Sequence, residues 1–291
     1  MRSPLRHHRI DGRNESAVEP RILTPQRTGM ARLAGLAMIC ALSACGDRSQ
    51  GPLLQGDAAM ERGDFGSAVY YYSRVIEQRP HVAQGYLKRG GAYVGLGQLD
   101  KATDDFTQAI RCDPENAGAY ASRAFVHLKL AAYQAVIDDA TPAIQRGEST
   151  VEVYLARGEA YLAQLRYEEA LADANRALEL DSQDADCFLL RGRALVGKGQ
   201  LEQAESAFTA AIQRKPDLAD AYWRRSEVRR QLGNDGQANA DRQIALQLDP
   251  SLEFTETDVG SSLVKGLSDT GNAPDGISPL DLHLPAAEGK K

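Results

Sequence analysis

Adjacent carboxylates recur at a fixed interval, Asp104 with Asp105 and then Asp138 with Asp139. Paired acids can act as general acid and base. An arginine keeps the same interval, at Arg89, Arg123, Arg157, Arg191 and Arg225. Acids that recur in step with arginines point to ion pairing rather than proton transfer. Asp105, Asp139 and Asp173 are expected to meet arginines of the following units, such as Arg123, Arg157 and Arg191. Past residue 80 the histidines are His81, His127 and His283. They are widely spaced, and a metal site needs convergent ligands, so no metal is expected. Cys112 and Cys187 stand too far apart for a bridge and read as buried, inert thiols. Gly90, Gly91, Gly95 and Gly97 hint at a phosphate loop, but no Gly-Lys-Ser/Thr follows them. No His-Glu-x-x-His or nucleophile elbow is present. A hydrolase therefore has no motif behind it, and no cofactor is expected.

What must position these residues follows from composition and period. The chain has 291 residues, 34 Lys+Arg against 40 Asp+Glu, a net charge of −6 and 43% hydrophobic residues. That content can bury a core. The acidic balance argues against nucleic acid, whose phosphates need a basic face. Four cysteines exclude a disulfide-dense scaffold. No apolar run reaches the roughly 18 residues needed to cross a bilayer as a helix.

Steps of 34 residues from Tyr86 reach Tyr120, Tyr154, Phe188 and Tyr222. The column beside the arginines is Gly90, Ala124, Gly158, Gly192 and Ser226, and a later one is Ala102, Val136, Ala170, Ala204 and Ala238. Pro80, Pro114, Pro216 and Pro250 fall on the same lattice. Apolar residues three and four apart predict two amphipathic helices per unit. Gly63, Gly97, Gly199 and Gly233 stand where a turn needs permissive backbone, and the prolines bar continuation of the second helix. One such unit cannot bury its own apolar face, so neighbours must stack.

The pattern resembles the tetratricopeptide repeat, most fully in the unit 83–116 with Tyr86, Gly90, Tyr93, Ala102, Phe106, Ala109 and Pro114. The resemblance implies an all-α, right-handed solenoid of about six helix-turn-helix units. They would span 49–82, 83–116, 117–150, 151–184, 185–218 and 219–252. Five departures stand out. Pro142 lies inside a second helix and should kink or shorten it. Glu148 and Ser182 replace closing prolines. Arg242 replaces a buried aromatic, as suits a terminal face that meets water. Pro52 replaces the leading aromatic, so the first helix should start late.

In this family the first helices line a concave surface. One column there is Leu87, Ala121, Leu155, Leu189 and Trp223, and a second is Gly91, Phe125, Glu159, Arg193 and Glu227. Leu87, Phe125, Leu155, Leu189 and Trp223 form an apolar strip, with Glu159, Arg193 and Glu227 beside it. Two readings stand side by side. Either the strip is core inside the superhelix, or it is a groove for a protein segment with Trp223 as anchor. The carboxylate clamp of the chaperone-binding relatives needs Lys and Asn on these columns. Leu or Ala holds the Lys place here and Asn is absent, which disfavours a chaperone tail.

Near the start, Arg32 precedes an apolar stretch from Leu33 to Leu42 that ends Ser43-Ala44-Cys45. This order resembles the lipobox of bacterial lipoproteins. The resemblance implies cleavage of 1–44 and acylation of Cys45, whose thiol takes the lipid. Met30 is an alternative start to Met1. Acyl chains would hold the protein on a bilayer. Asp47 stands one place beyond the position that favours inner-membrane retention, so the outer membrane is expected, with the chain facing the periplasm or exterior. Residues 253–291 read as a mostly disordered tail, with Ser261 to Leu267 as a possible capping turn. The combined expectation is a lipid-anchored, non-catalytic adaptor for protein segments in envelope assembly or secretion. The alternative is a structural module that self-associates without a groove ligand.

Overall fold

The computed structural model of the chain describes residues 50–255. Cys45, the segment before it and the tail after residue 255 lie outside the described residues. Twelve α-helices follow one another in six pairs, and no strand occurs among the described residues. The pairs are α1 (Gln50–Glu61) with α2 (Phe65–Gln78), α3 (Ala83–Gly95) with α4 (Leu99–Cys112), and α5 (Ala117–Lys129) with α6 (Tyr133–Gln145). They continue with α7 (Val151–Ala163) and α8 (Tyr167–Leu180), α9 (Ala185–Gly197) and α10 (Leu201–Arg214), and α11 (Ala219–Gln231) and α12 (Asp235–Leu248). A 3₁₀ turn, Pro250–Thr255, closes the described chain. The architecture is the expected all-α solenoid, with each helix packed on the next.

Local chemistry sets the helix ends. Asn116, Thr150 and Asp184 accept first-turn backbone N–H bonds on their side chains, satisfying donors that the helix leaves open. Between the helices of four units a glycine takes positive φ, as at Gly97 (φ 69°) and Gly233 (φ 79°). In the third and fourth units Ala131 (φ 53°) and Leu165 (φ 60°) adopt that conformation instead, which side chains resist. Pro142 stays inside α6, which ends one residue short of the lattice, at Gln145. Gly147 (φ 101°) then stops the chain where the closing proline is missing. Pro52 sits in the first turn of α1, where no N–H bond is lost.

Within a unit the two helices lock small residue against large. A Cβ on Gly90 would lie 2.6 Å from Phe106 Cε1, and one on Gly192 would lie 2.4 Å from Phe208 Cε1. Both rings are fully buried, each contributing about 1.5–3 kcal/mol. In the third unit Ala124 faces Ala140, so the helices still close without an aromatic. First helices of neighbouring units also touch one another, α5 with α7 and α7 with α9 most extensively. That closeness makes them the concave side of the stack and leaves the second helices outermost.

Candidate binding surface on the concave face

The concave surface is held in shape by a ladder of arginines on the first helices. Arg89 donates from Nε and Nη2 to both oxygens of Asp105, at 2.8 and 2.7 Å, and from Nη1 to Ser73 Oγ at 3.0 Å. Arg123 repeats this with Asp139 (2.9 and 2.6 Å) and Thr107 (2.9 Å). Arg157 does so with Asp173 (2.9 and 2.8 Å) and Thr141 (3.2 Å). Arg225 does so with Asp241 (2.8 and 2.7 Å) and Thr209 (3.0 Å). The expected pairing with following units is therefore corrected. Each acid meets the arginine of its own unit, 16 residues earlier, because those two positions face each other across the turn. The link between units is the hydroxyl, 16 residues before the arginine.

Environment splits these acids. Burial works to raise Asp139, but His127 Nδ1 at 3.0 Å and Arg123 outweigh it and hold the carboxyl below its ordinary value. Around Asp173 burial prevails over Arg157, and the carboxyl lies above its ordinary value. Arg191 stands on the same column without such a pair: its Nε is buried with no hydrogen-bond partner.

The apolar strip is not an open groove. Phe125 is 3% exposed and packs with Leu155 in the central core, while Leu189 belongs to the core of the fifth unit. Leu87 is half-buried against Tyr86, Ala109 and Phe106. The close approach of neighbouring first helices leaves little of Phe125, Leu155 and Leu189 exposed, whereas Leu87 stays half-open. Trp223 is 9% exposed, and the Arg242 guanidinium lies 5.1 Å from its ring centroid. This stacking explains an arginine in the aromatic column.

The charged column fares differently. Arg193 bonds Glu159 across one repeat, and Arg224 bonds Asp220 at 2.9 Å. Glu227 comes next on the column of Glu159 and Arg193, and no hydrogen bond or ion pair reaches its carboxylate among the described residues. Arg193, Arg224 and Glu227 line a cavity of about 220 Å³ together with Leu162, Tyr167, Val196, Phe208 and Val228. The cavity spans the fourth to sixth units. Burial pushes the Glu227 carboxyl above its ordinary value, against the pull of Arg224. Burial also raises Asp186, helped by Asp184. The surface thus offers apolar walls, two cations already compensated and one carboxylate awaiting a donor. Arg224, Asp220 and Asp186 were missed from sequence. Their columns carry Asp186 and Asp220 one turn before Leu189 and Trp223, a signal that acids gather toward the last units.

Among the described residues the thiols and metal-ligating side chains stand apart. Cys112 and Cys187 are free thiols, and burial pushes Cys187 upward, away from the reactive thiolate. No cluster of three metal-ligating side chains occurs among the described residues. None of the described helices is long and apolar enough to cross a membrane.

Family models described as tetratricopeptide repeat match residues 53–117, 151–184 and 189–252. The unit with Pro142 and Glu148 falls between the matched segments, yet it folds like its neighbours. No curated protein matches the chain. Among solved structures, YrrB, a tetratricopeptide protein with an unusual peptide-binding site, is 22% identical with a TM-score of 0.55, covering 64% of this chain and 97% of its own. PilF of Pseudomonas aeruginosa is 15% identical with a TM-score of 0.61, covering 73% and 97%. PilW, a type IV pilus biogenesis factor, is 21% identical with a TM-score of 0.58, covering 77% and 100%. At such identities the likeness is one of fold, a fold that suits protein–protein interaction. With repeat models covering more than half its length, twelve described helices in register and the small-against-large lock in the first, second and fifth units, the chain belongs to the tetratricopeptide-repeat family.

Proposed function

We propose that this protein is a non-catalytic adaptor that holds a segment of a partner protein on the concave face of its fourth to sixth units. The observation that carries this reading is Glu227, a half-buried carboxylate with no partner, set in a cavity whose two arginines are already paired. Partial burial disfavours its charged form, and a carboxylate in that setting gains from a donor. A partner's cationic or N–H group would satisfy it while apolar walls take the stem of the side chain. A segment bearing Lys or Arg is the favoured occupant. The lipobox-like order before Cys45 supports a tether of acyl chains to a membrane, the outer one favoured. Likeness in fold to PilW, a type IV pilus biogenesis factor, is in keeping with a place in assembling envelope machinery. Two experiments test the parts separately. Arg193→Glu with Glu227→Lys inverts the surface and is expected to abolish partner pull-down; unchanged pull-down defeats the groove. Cys45→Ser is expected to release the protein from the membrane fraction; retention defeats the tether.

A second reading rests on the ends of the stack. Leu54 (64% exposed) and Tyr70 lie on the first unit, Ile244 and Leu248 on the last. Such residues would bury on end-to-end pairing of two copies. Sedimentation of the chain without its first 44 residues distinguishes the readings: a concentration-dependent dimer supports self-association, and a monomer at all concentrations removes it.

A further inference from the structure

Four of the five ladder arginines are satisfied by an Asp 16 residues later and a Ser or Thr 16 residues earlier. At the fifth arginine both neighbours differ. The place of the acid is taken by Ala207 on α10, and that of the hydroxyl by Asn175 on α8. Among the described residues Arg191 makes no ion pair or hydrogen bond, and its Nε is buried without a partner. Glu205, two residues before Ala207, and Asp241, one repeat beyond it, are engaged with other arginines. Glu205 takes Arg229 Nε at 2.6 Å, and Asp241 takes Arg225 and Arg229.

A guanidinium does not shed its proton in a protein. Among the described residues no carboxylate is paired with its charge. The four complete rungs supply an internal measure of what is missing: one negative charge, with oxygens 2.6–2.9 Å from Nε and Nη2. Ala207 is 6% exposed and keeps the helix packing, but its methyl ends where the carboxylate of an Asp would begin. Arg191 as a whole is only half-buried, so the guanidinium is within reach of dissolved ions. Asn175 sets a carboxamide, which can donate, at the position where the other rungs place a hydroxyl.

We propose that Arg191 and Ala207 frame a binding site for a free monovalent anion of about the size of chloride, which stands in for the missing carboxylate and completes the fifth rung. The site ties α8, α9 and α10 together, beside the concave cavity but separate from it. It is independent of the adaptor reading. An anion bound to the folded chain and not to the unfolded one raises stability with its concentration.

The test uses chloride on the full chain, at constant ionic strength with gluconate as the replacement anion. Two readouts are taken, the ³⁵Cl NMR linewidth and the Tm. The wild type is expected to broaden the chloride line and to gain about 2–4 °C at saturating chloride. Ala207→Asp places a carboxylate in the vacancy. It should remove the excess broadening, raise the Tm in gluconate and make it insensitive to chloride. Arg191→Met should also remove the broadening. Equal broadening in Ala207→Asp and wild type would overturn the site. So would a fall in Tm for Ala207→Asp, since it would mean that the vacancy has no room for an anion.

Discussion

Arg225 and Asp241 form a two-pronged pair, with Nε–Oδ2 at 2.8 Å and Nη2–Oδ1 at 2.7 Å, and Arg229 Nη1 adds a third contact to the same carboxylate at 2.8 Å. Asp241 therefore serves two buried or half-buried cations at once. Asp241→Ala leaves both without it, and the expected cost is about 3–5 kcal/mol. Urea unfolding of the variant checks this. A loss below about 1 kcal/mol would show that the ladder sets spacing without stabilising the stack.

The glycines of the first helices are not equivalent. Gly192 faces the buried Phe208 ring, whereas a Cβ on Gly91 meets nothing within 4 Å. Gly192→Ala is expected to destabilise by about 1–3 kcal/mol through overpacking. Gly91→Ala is expected to stabilise by about 0.5–1 kcal/mol, because alanine loses less freedom in a helix. Thermal unfolding of the two variants should move in opposite directions.

Leu165 holds a left-handed turn conformation (φ 60°) while 69% exposed, so nothing packs to repay the strain. Leu165→Gly matches the turns at Gly97 and Gly199 and should stabilise the fold by about 0.5–1 kcal/mol, the relief of strain exceeding the gain in unfolded-chain entropy. The same calorimetric scan reads it against the wild type.

Glu227 carries a pH signature. Its folded pKa lies above the ordinary glutamate value, with burial as the chief cause. Below the unfolded pKa both states are protonated and the group contributes nothing. As pH rises, the unfolded chain ionises first and the fold loses stability, fully so once pH exceeds the raised folded pKa. Glu227→Gln lacks that loss. The variant should match wild type near pH 3 and exceed it in Tm at pH 7. A constant offset across this range would mean that the carboxylate is not held in an unfavourable site.

The period of 34 made the helices and their partners legible, because the columns of Tyr86, Gly90 and Ala102 recur with matched burial. The same period left each column uncertain by one unit. Nothing in the spacing says whether Asp139 meets Arg123 or Arg157, since both lie in register, and only the closure of α5 on α6 decides it. The apolar strip failed for a related reason. Phe125 and Leu155 sit on a face that is concave in one unit yet covered by the next first helix, and exposure depends on how tightly the units coil. The turns at Ala131 and Leu165 gave no glycine to read. The fifth rung, by contrast, was visible in principle, because Ala207 stands on the column of Asp139, Asp173 and Asp241.

The account turns on a partner segment resting against the inner helices of the last three units. Photo-crosslinking in intact cells tests it most directly, with a crosslinking residue placed at Gln231, which lines the cavity, or at the exposed Arg176 on the second helix α8. The account predicts a discrete protein adduct from Gln231 that is lost on Glu227→Lys, and none from Arg176. An adduct from Arg176 alone, or one from Gln231 that survives the charge reversal, would contradict it.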